Sequence, residues 1–265
     1  MGSRTRGLVC PLVILFVSGL LPLRGQSLSD GKSLSTQKSR AVLVELFTSE
    51  GCSSCPPADA LLRQIDGKYT ESGLLIVGVS EHVTYWNHLG WSDPYSAPAY
   101  TERQDAYGRK FHLDSVYTPQ MVINGEEQIL GSNSSALVDA LRKSKQDPEI
   151  SLHITSVQVS GKSLDASFSA DGTMPPHGVE VYAIVADNSA SSDVRAGENA
   201  GHTLVHASVA RTIVEIGKLH APVQRTMHIP LSSAVIKSPG QARHLILFAQ
   251  EVGYGPVLSV DTKSF

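Results

Sequence analysis

Cysteine is scarce in this 265-residue chain: there are three, and Cys10 sits inside an N-terminal apolar run. That excludes a disulfide-dense scaffold and a zinc site built on four thiolates. Positive charge is also short. Lys and Arg number 22 against 25 Asp and Glu, a net of −3, so nothing points to nucleic acid or another polyanion as partner. No apolar run reaches the roughly 20 residues that a membrane-spanning helix needs. Tryptophan occurs twice, both times within 81–94. There is no internal repeat, no low-complexity tract, no phosphate-binding glycine loop and no Ser/His/Asp nucleophile order.

Arg4 and Arg6 precede an apolar run at 8–21, which ends in Leu23-Arg24-Gly25-Gln26. This is a secretory signal pattern over 1–25, with Gly25 as the small cleavage residue; an uncleaved anchor is the alternative. Cys10 has no apolar stretch ahead of it, which argues against a lipid-anchored cysteine. Residues 26–39, rich in Ser, Gln, Lys and Gly, read as a flexible leader. The expectation is a secreted or periplasmic protein with no stable membrane span after signal removal, its oligomeric state left open.

Signal removal leaves two cysteines, in Cys52-Ser53-Ser54-Cys55-Pro56-Pro57. An apolar strand pattern at 41–47 precedes them and an amphipathic helix pattern at 58–69 follows. A Cys-x-x-Cys at a strand-to-helix junction is a redox signature. A bridge between these cysteines closes a tiny loop and would stabilise little by loop closure, which favours reactivity over structure. Cys52, at or just before the helix N-terminus, would face unpaired N–H groups and the positive end of the helix dipole. Both stabilise a thiolate, so Cys52 is the expected nucleophile. Cys55, one turn inward, is the expected resolving thiol. A metal site with further ligands and an inert structural disulfide are the alternatives.

Strand patterns recur at 74–79, 119–123 and 128–130, with Asn124-Gly125 as a hairpin turn. One helix pattern starts at Ser96 with Pro98 in its first turn and ends near Phe111. Another is capped by Asn133 or Ser134. The order strand, helix, strand, helix, strand, strand, helix over 40–147 is that of the thioredoxin fold. After Asp147-Pro148 seven short alternating segments follow, at 151–159, 163–170, 179–187, 203–216, 224–229, 245–251 and 256–260. The expected fold class is therefore an α/β thioredoxin-like domain, 40–147, followed by a small all-β sandwich-like domain, 148–265.

That order gives further residues a place. Thr118-Pro119 heads the third strand, where the thioredoxin fold has a cis peptide facing the cysteines; Thr118 would then pair with a bound peptide. Glu45 lies in an apolar run, where a carboxylate is costly unless paired. Thioredoxins carry a buried acid on this strand that relays protons to the inner cysteine, and Glu45 resembles it by strand, one residue further from the cysteines; the likeness implies a catalytic-support role, and the alternative is an inert carboxylate at the strand end. The insertion 81–94 holds His82, Tyr85, Trp86 and Trp91 and reads as an aromatic substrate wall or as a lid. His82 and His88 are candidate metal ligands only in the second instance. A polar run with Arg195, Glu198, Asn199, His202, His206 and Arg211 reads as a solvated strand edge, with an interface loop as the alternative.

Three groups of residues carry a resemblance: the stretch 44–59, VELFTSEGCSSCPPAD; His82-Val83, Tyr85-Trp86, Leu89-Gly90-Trp91 and Asp93-Pro94; and Val116-Tyr117-Thr118-Pro119-Gln120-Met121. Gly197-Glu198-Asn199-Ala200-Gly201 and Val209-Ala210-Arg211 add to it. The chain resembles a secreted bacterial family catalogued as domain of unknown function 1223. The resemblance implies a thioredoxin-like domain followed by a β-rich domain, and it supplies no substrate. The family more usually has an acid where this chain has Thr84.

The leading expectation is an exported thiol–disulfide oxidoreductase acting on an envelope protein or small thiol, with no cofactor. One alternative is a soft-metal (copper) module using Cys52, Cys55 and optionally His82; another is an envelope binding protein with a degenerate redox site. Electron direction stays open, because Cys-x-x-Cys proteins with different central dipeptides span about 150 mV.

Overall fold

The first strand, β1 (Ala41–Thr48), is buried from Val42 to Thr48, as a run with no polar face requires. The computed structural model describes Gly2, residues 40–144 and residues 149–265. The expected signal segment, the leader and the domain boundary at 147 lie outside the described residues. After β1 come α1 (Pro56–Ile65), β2 (Leu75–His82), α2 (Pro98–Lys110), β3 (Gln120–Ile123), β4 (Glu127–Leu130) and α3 (Ser134–Lys143). Then follow β5 (Ile150–Ser160), β6 (Ser163–Gly172), β7 (Val179–Asp193), β8 (Thr203–Leu219), β9 (Val223–Pro230), α4 (Ser233–Lys237), β10 (Arg243–Glu251) and β11 (Val257–Ser264).

Local chemistry explains the ends. Pro56 and Pro57 occupy the first turn of α1, where a missing N–H costs nothing. Asn124 and Gly125 both have positive φ, 52° and 66°, as the central residues of a mirror-image turn do; the Glu126 N–H closes it on the Ile123 carbonyl at 2.9 Å within a three-residue loop, 124–126. The Asn133 side chain accepts from the Ala136 N–H at 3.1 Å and caps α3. Helix α2 is entered through Ala97 rather than Ser96; the Ser96 hydroxyl donates to the Asp93 carbonyl instead.

The strands assemble differently from the expectation. One mixed sheet has eight strands in the order β11-β10-β7-β8-β2-β1-β3-β4, and a second has three, β5-β6-β9. Strand β8 lies parallel to β2 through Ser80 and Val209. The strands on both sides of residue 148 thus share one sheet, and Lys38–Phe265 cluster as one unit. This overturns the expected α/β thioredoxin-like domain followed by a small all-β domain: the molecule is mostly β, built on a large mixed sheet with few helices. The physical reason is that β7 and β10 are apolar on both faces. Val181, Ala183, Val185, Leu245 and Leu247 pack under the three-stranded sheet. Tyr182, Ile184, Ala186, Ile246 and Phe248 face the other way and join Leu43, Val77, Val79 and Tyr100. A third core places Val42, Val44 and Leu46 of β1 under α1 and α3. No helix among the described residues is long and apolar enough to cross a membrane.

Candidate redox site around Cys52 and Cys55

Cys52 and Cys55 are joined as a disulfide, with Cα atoms 5.4 Å apart. They lie where β1 gives way to α1, and Cys55 is the N-cap of α1. Cys52 therefore sits three residues ahead of the cap, not at the helix end itself. Pro56 and Pro57 have no N–H, and the N–H groups of Ala58 and Asp59 both donate to the Cys55 carbonyl, at 2.9 and 3.1 Å. The first turn consequently leaves no free N–H for a Cys52 thiolate, which corrects the expected source of its stabilisation. The Cys52 sulfur instead has the Ser54 hydroxyl at 3.4 Å. Both cysteines are fully buried, while Ser53 and Ser54 between them are exposed.

The turn that carries the two cysteines is bound from the far end of the chain. Strands β7 and β8 run past the sheet and bring the tip at 194–202 onto the Cys52–Cys55 turn. Asn199, buried, donates its side-chain N–H groups to the carbonyls of Glu50 and Cys52 at 2.8 and 2.9 Å. The Glu198 carboxylate accepts from the Ser53 N–H at 3.0 Å and from its hydroxyl at 2.6 Å. These bonds hold the Glu198 carboxyl below its usual range. The polar run is thus neither a solvated edge nor uniform: Asn199 and His206 are buried, and Arg195 and His202 are exposed.

The Thr118–Pro119 peptide is cis, as expected. Pro119 reaches the head of α1: a Cβ at Gly131 would touch both Pro119 Cβ and Ala58 Cβ at 3.1 Å. Trp86 links the two halves of the site. Its indole N–H donates to Thr118 Oγ1 at 2.8 Å, and its Cβ lies so close to Gly51 that a Cβ there would be 3.1 Å away. Trp91 donates to Glu50 Oε2 at 2.8 Å. The insertion 81–94 is therefore folded onto the site with both indole N–H groups engaged, as a lid would be. Tyr85 donates to Gln104 at 3.1 Å, and desolvation pushes its phenol up to about 12. His82, expected at the substrate surface, is fully buried, with Nδ1 2.7 Å from Asp93 Oδ2. Burial raises the Asp93 carboxyl, but His82 and the backbone N–H groups of Glu50 and Tyr95 outweigh it and lower the group overall.

Glu45 does not reach the cysteines. Alternation along β1 puts Val44 and Leu46 under α1 and Glu45 on the opposite face. There it accepts from Arg103 Nε and, at 2.7 Å, from the Tyr107 hydroxyl. Arg103 also lies against the rings of Tyr107, Tyr182, Phe248 and Tyr254. The expected proton relay through Glu45 is corrected accordingly: it is half of a buried ion pair under α2.

The ionisable groups on the cysteine side are others. Asp59 of α1, Glu50 of the cysteine loop and His206 of β8 are all at most 3% exposed. His206 Nε2 is 3.3 Å from Glu50 Oε1, and its Nδ1 is 3.4 Å from Asp59 Oδ1. Ser192 also donates to Glu50 Oε1. Burial alone would lower the His206 pKa; the bonds and charges of Asp59 and Glu50 outweigh it and raise it to about 9. Strand alternation was the available signal for His206, because it shares a face with buried Leu204. Among the described residues no group of three or more His, Cys, Asp or Glu is arranged to hold a metal ion.

Comparison with known proteins agrees with the early resemblance. Residues 43–250 match the family model described as protein of unknown function (DUF1223). None of the functionally curated proteins matches the chain. Protein AGR_C_4864 from Agrobacterium tumefaciens is 26% identical; the match covers 85% of this chain and 95% of that one, with a TM-score of 0.61. HBP35 of Porphyromonas gingivalis shares the fold at 12% identity and a TM-score of 0.65, over 86% of this chain and 76% of that one.

Proposed function

We propose that this chain, which belongs to the family of proteins of unknown function DUF1223, is an exported thiol–disulfide oxidoreductase whose redox couple is Cys52 and Cys55. The observation that carries the reading is the Cys52–Cys55 disulfide at the head of α1. The bridge spans only three residues, so its contribution to stability through loop closure is small. The basic and apolar start of the sequence supports export to a secreted or periplasmic location, where such a bond persists.

The chemistry is reversible exchange. A substrate thiolate attacks Cys52 Sγ, forming a mixed disulfide and releasing the electron pair of the old bond onto Cys55 Sγ. A second substrate thiolate then attacks the substrate sulfur and releases Cys52. Two electrons pass to the protein, and the reverse sequence returns them. An envelope protein or a small thiol can fill the substrate role.

The test is trapping. The Cys55→Ser variant, with Cys52 free, is expected to accumulate mixed disulfides with envelope proteins, seen by mass spectrometry, and Cys52→Ser is not. Trapping by Cys52→Ser alone reverses the two roles. A wild-type disulfide that does not equilibrate with glutathione overturns the redox reading.

A further inference from the structure

A buried acid–base cluster stands beside α1, where ionic groups are costly unless well paired and hydrogen-bonded. Cys55 has helical dihedrals, φ −77° and ψ −37°. Asp59, four residues on, therefore stands one turn below it on the same side, with Cβ atoms about 5–6 Å apart by helix geometry. Its N–H donates to the Cys55 carbonyl at 3.1 Å. One carboxylate oxygen, Oδ2, accepts from the Thr48 hydroxyl at 3.3 Å. The other, Oδ1, has no completed hydrogen bond, and neither has His206 Nδ1. These two buried atoms face each other at 3.4 Å. Together they make a buried ion pair whose geometry falls short of a hydrogen bond, a costly arrangement that calls for an explanation.

We infer that Asp59 and His206 form a buried proton store for Cys55, giving its sulfur a proton when the Cys52–Cys55 bond opens and taking it back when the bond closes. The inference rests on the redox reading above. Asp59 shares a face of α1 with Cys55, one turn away, and His206 acts through Asp59 as a positioning residue. The imidazole is enclosed from every side. Glu50 binds Nε2 at 3.3 Å. The His82 and Tyr95 rings lie at 4.7 and 5.8 Å between centroids. Behind them, Asp93 holds His82 and Arg211 lies over Tyr95 at 5.1 Å. In this enclosure His206 keeps its proton at neutral pH.

The step balances as follows. When the substrate thiolate attacks Cys52 Sγ, the bond to Cys55 breaks and the pair leaves on Cys55 Sγ. A proton moves from His206 through Asp59 to that sulfur, leaving a thiol and a neutral imidazole. On closure the proton returns to His206, the Cys55 thiolate attacks Cys52 Sγ, and the substrate leaves as a thiolate that takes a proton from solvent.

The test follows opening of the disulfide by dithiothreitol in the full chain from pH 6 to 10. Acid quenching, alkylation and intact mass give the rate, which is divided by the concentration of dithiothreitol thiolate. In wild type this normalised rate is expected to fall as pH passes about 9 and the store empties. In His206→Gln and Asp59→Asn the falling limb is lost, and the rate at pH 7 drops about a hundredfold, the low end of general acid–base contributions. Asp59→Glu restores the limb, which a merely structural role does not explain. If Asp59→Asn does not fold, wild type against His206→Gln decides the same question. Variants that keep the wild-type limb and rate overturn the inference and leave the redox reading intact. A wild type that exchanges with neither dithiothreitol nor glutathione overturns both.

Discussion

His206 makes folding stability depend on pH within a window that follows from its burial between Asp59 and Glu50. The folded imidazole titrates at about 9 against an ordinary 6.5. The folded chain thus binds this proton more tightly than the unfolded chain. Its contribution is fully present below 6.5 and is lost as pH rises through 9. At 1.36 kcal/mol per unit, the loss amounts to about 3 kcal/mol. Urea unfolding followed by circular dichroism at one-unit steps from pH 6 to 10 measures it. The informative quantity is the gap between wild type and His206→Gln. Glu81, whose carboxyl is held well above the usual range first by burial and then by the Glu45 charge, is common to both proteins and cancels in the gap. The gap is expected to shrink by about 3 kcal/mol between pH 6.5 and 9.5. A gap that stays constant or widens with pH refutes the reasoning.

Two further perturbations probe the frame around the site. Arg103→Ala leaves the buried carboxylates of Glu45 and Glu81 without their cation and should lower unfolding free energy by about 3–5 kcal/mol, read as a fall in the urea midpoint; a midpoint within error of wild type contradicts the buried-pair account. Asn199→Ala removes two hydrogen bonds from the hairpin tip to the cysteine turn. At about 1 kcal/mol each, excursions that detach the tip from the cysteine turn should become about 30-fold more populated, and dithiothreitol should reduce the disulfide faster in that proportion; an unchanged rate shows that the tip does not govern access.

Much of the local structure is legible along the chain. The apolar run of β1, the paired prolines of α1, the Asn124-Gly125 turn and the Asn133 cap each depend on neighbours a few residues away, and each forms where those neighbours direct. Thr118–Pro119 was legible only through its place in the element order, since the X–Pro bond carries no cis signal of its own. The join of β7, β8, β10 and β11 to the first sheet was missed, although Val179–Asp193 carries a readable sign: Val181, Tyr182, Ala183, Ile184 and Val185 are apolar at consecutive positions, which marks a strand covered on both faces. The assignment of Glu45 to the cysteines failed on parity, because one step along a strand moves a side chain to the other face.

The redox motif, the absence of any other thiol after Cys55 and the order of strands and helices are properties of sequence, because they rest on covalent spacing and short-range preference. That Asn199 and Glu198 bind the turn which carries both buried sulfurs, and that Asp59 and His206 rather than Glu45 stand on their side of the sheet, arose from folding at long range. Apolar burial is non-directional and brings distant segments together by area rather than by pattern. The charge state of His206 then follows from the water excluded and the carboxylates enclosed when β8 closes over α1.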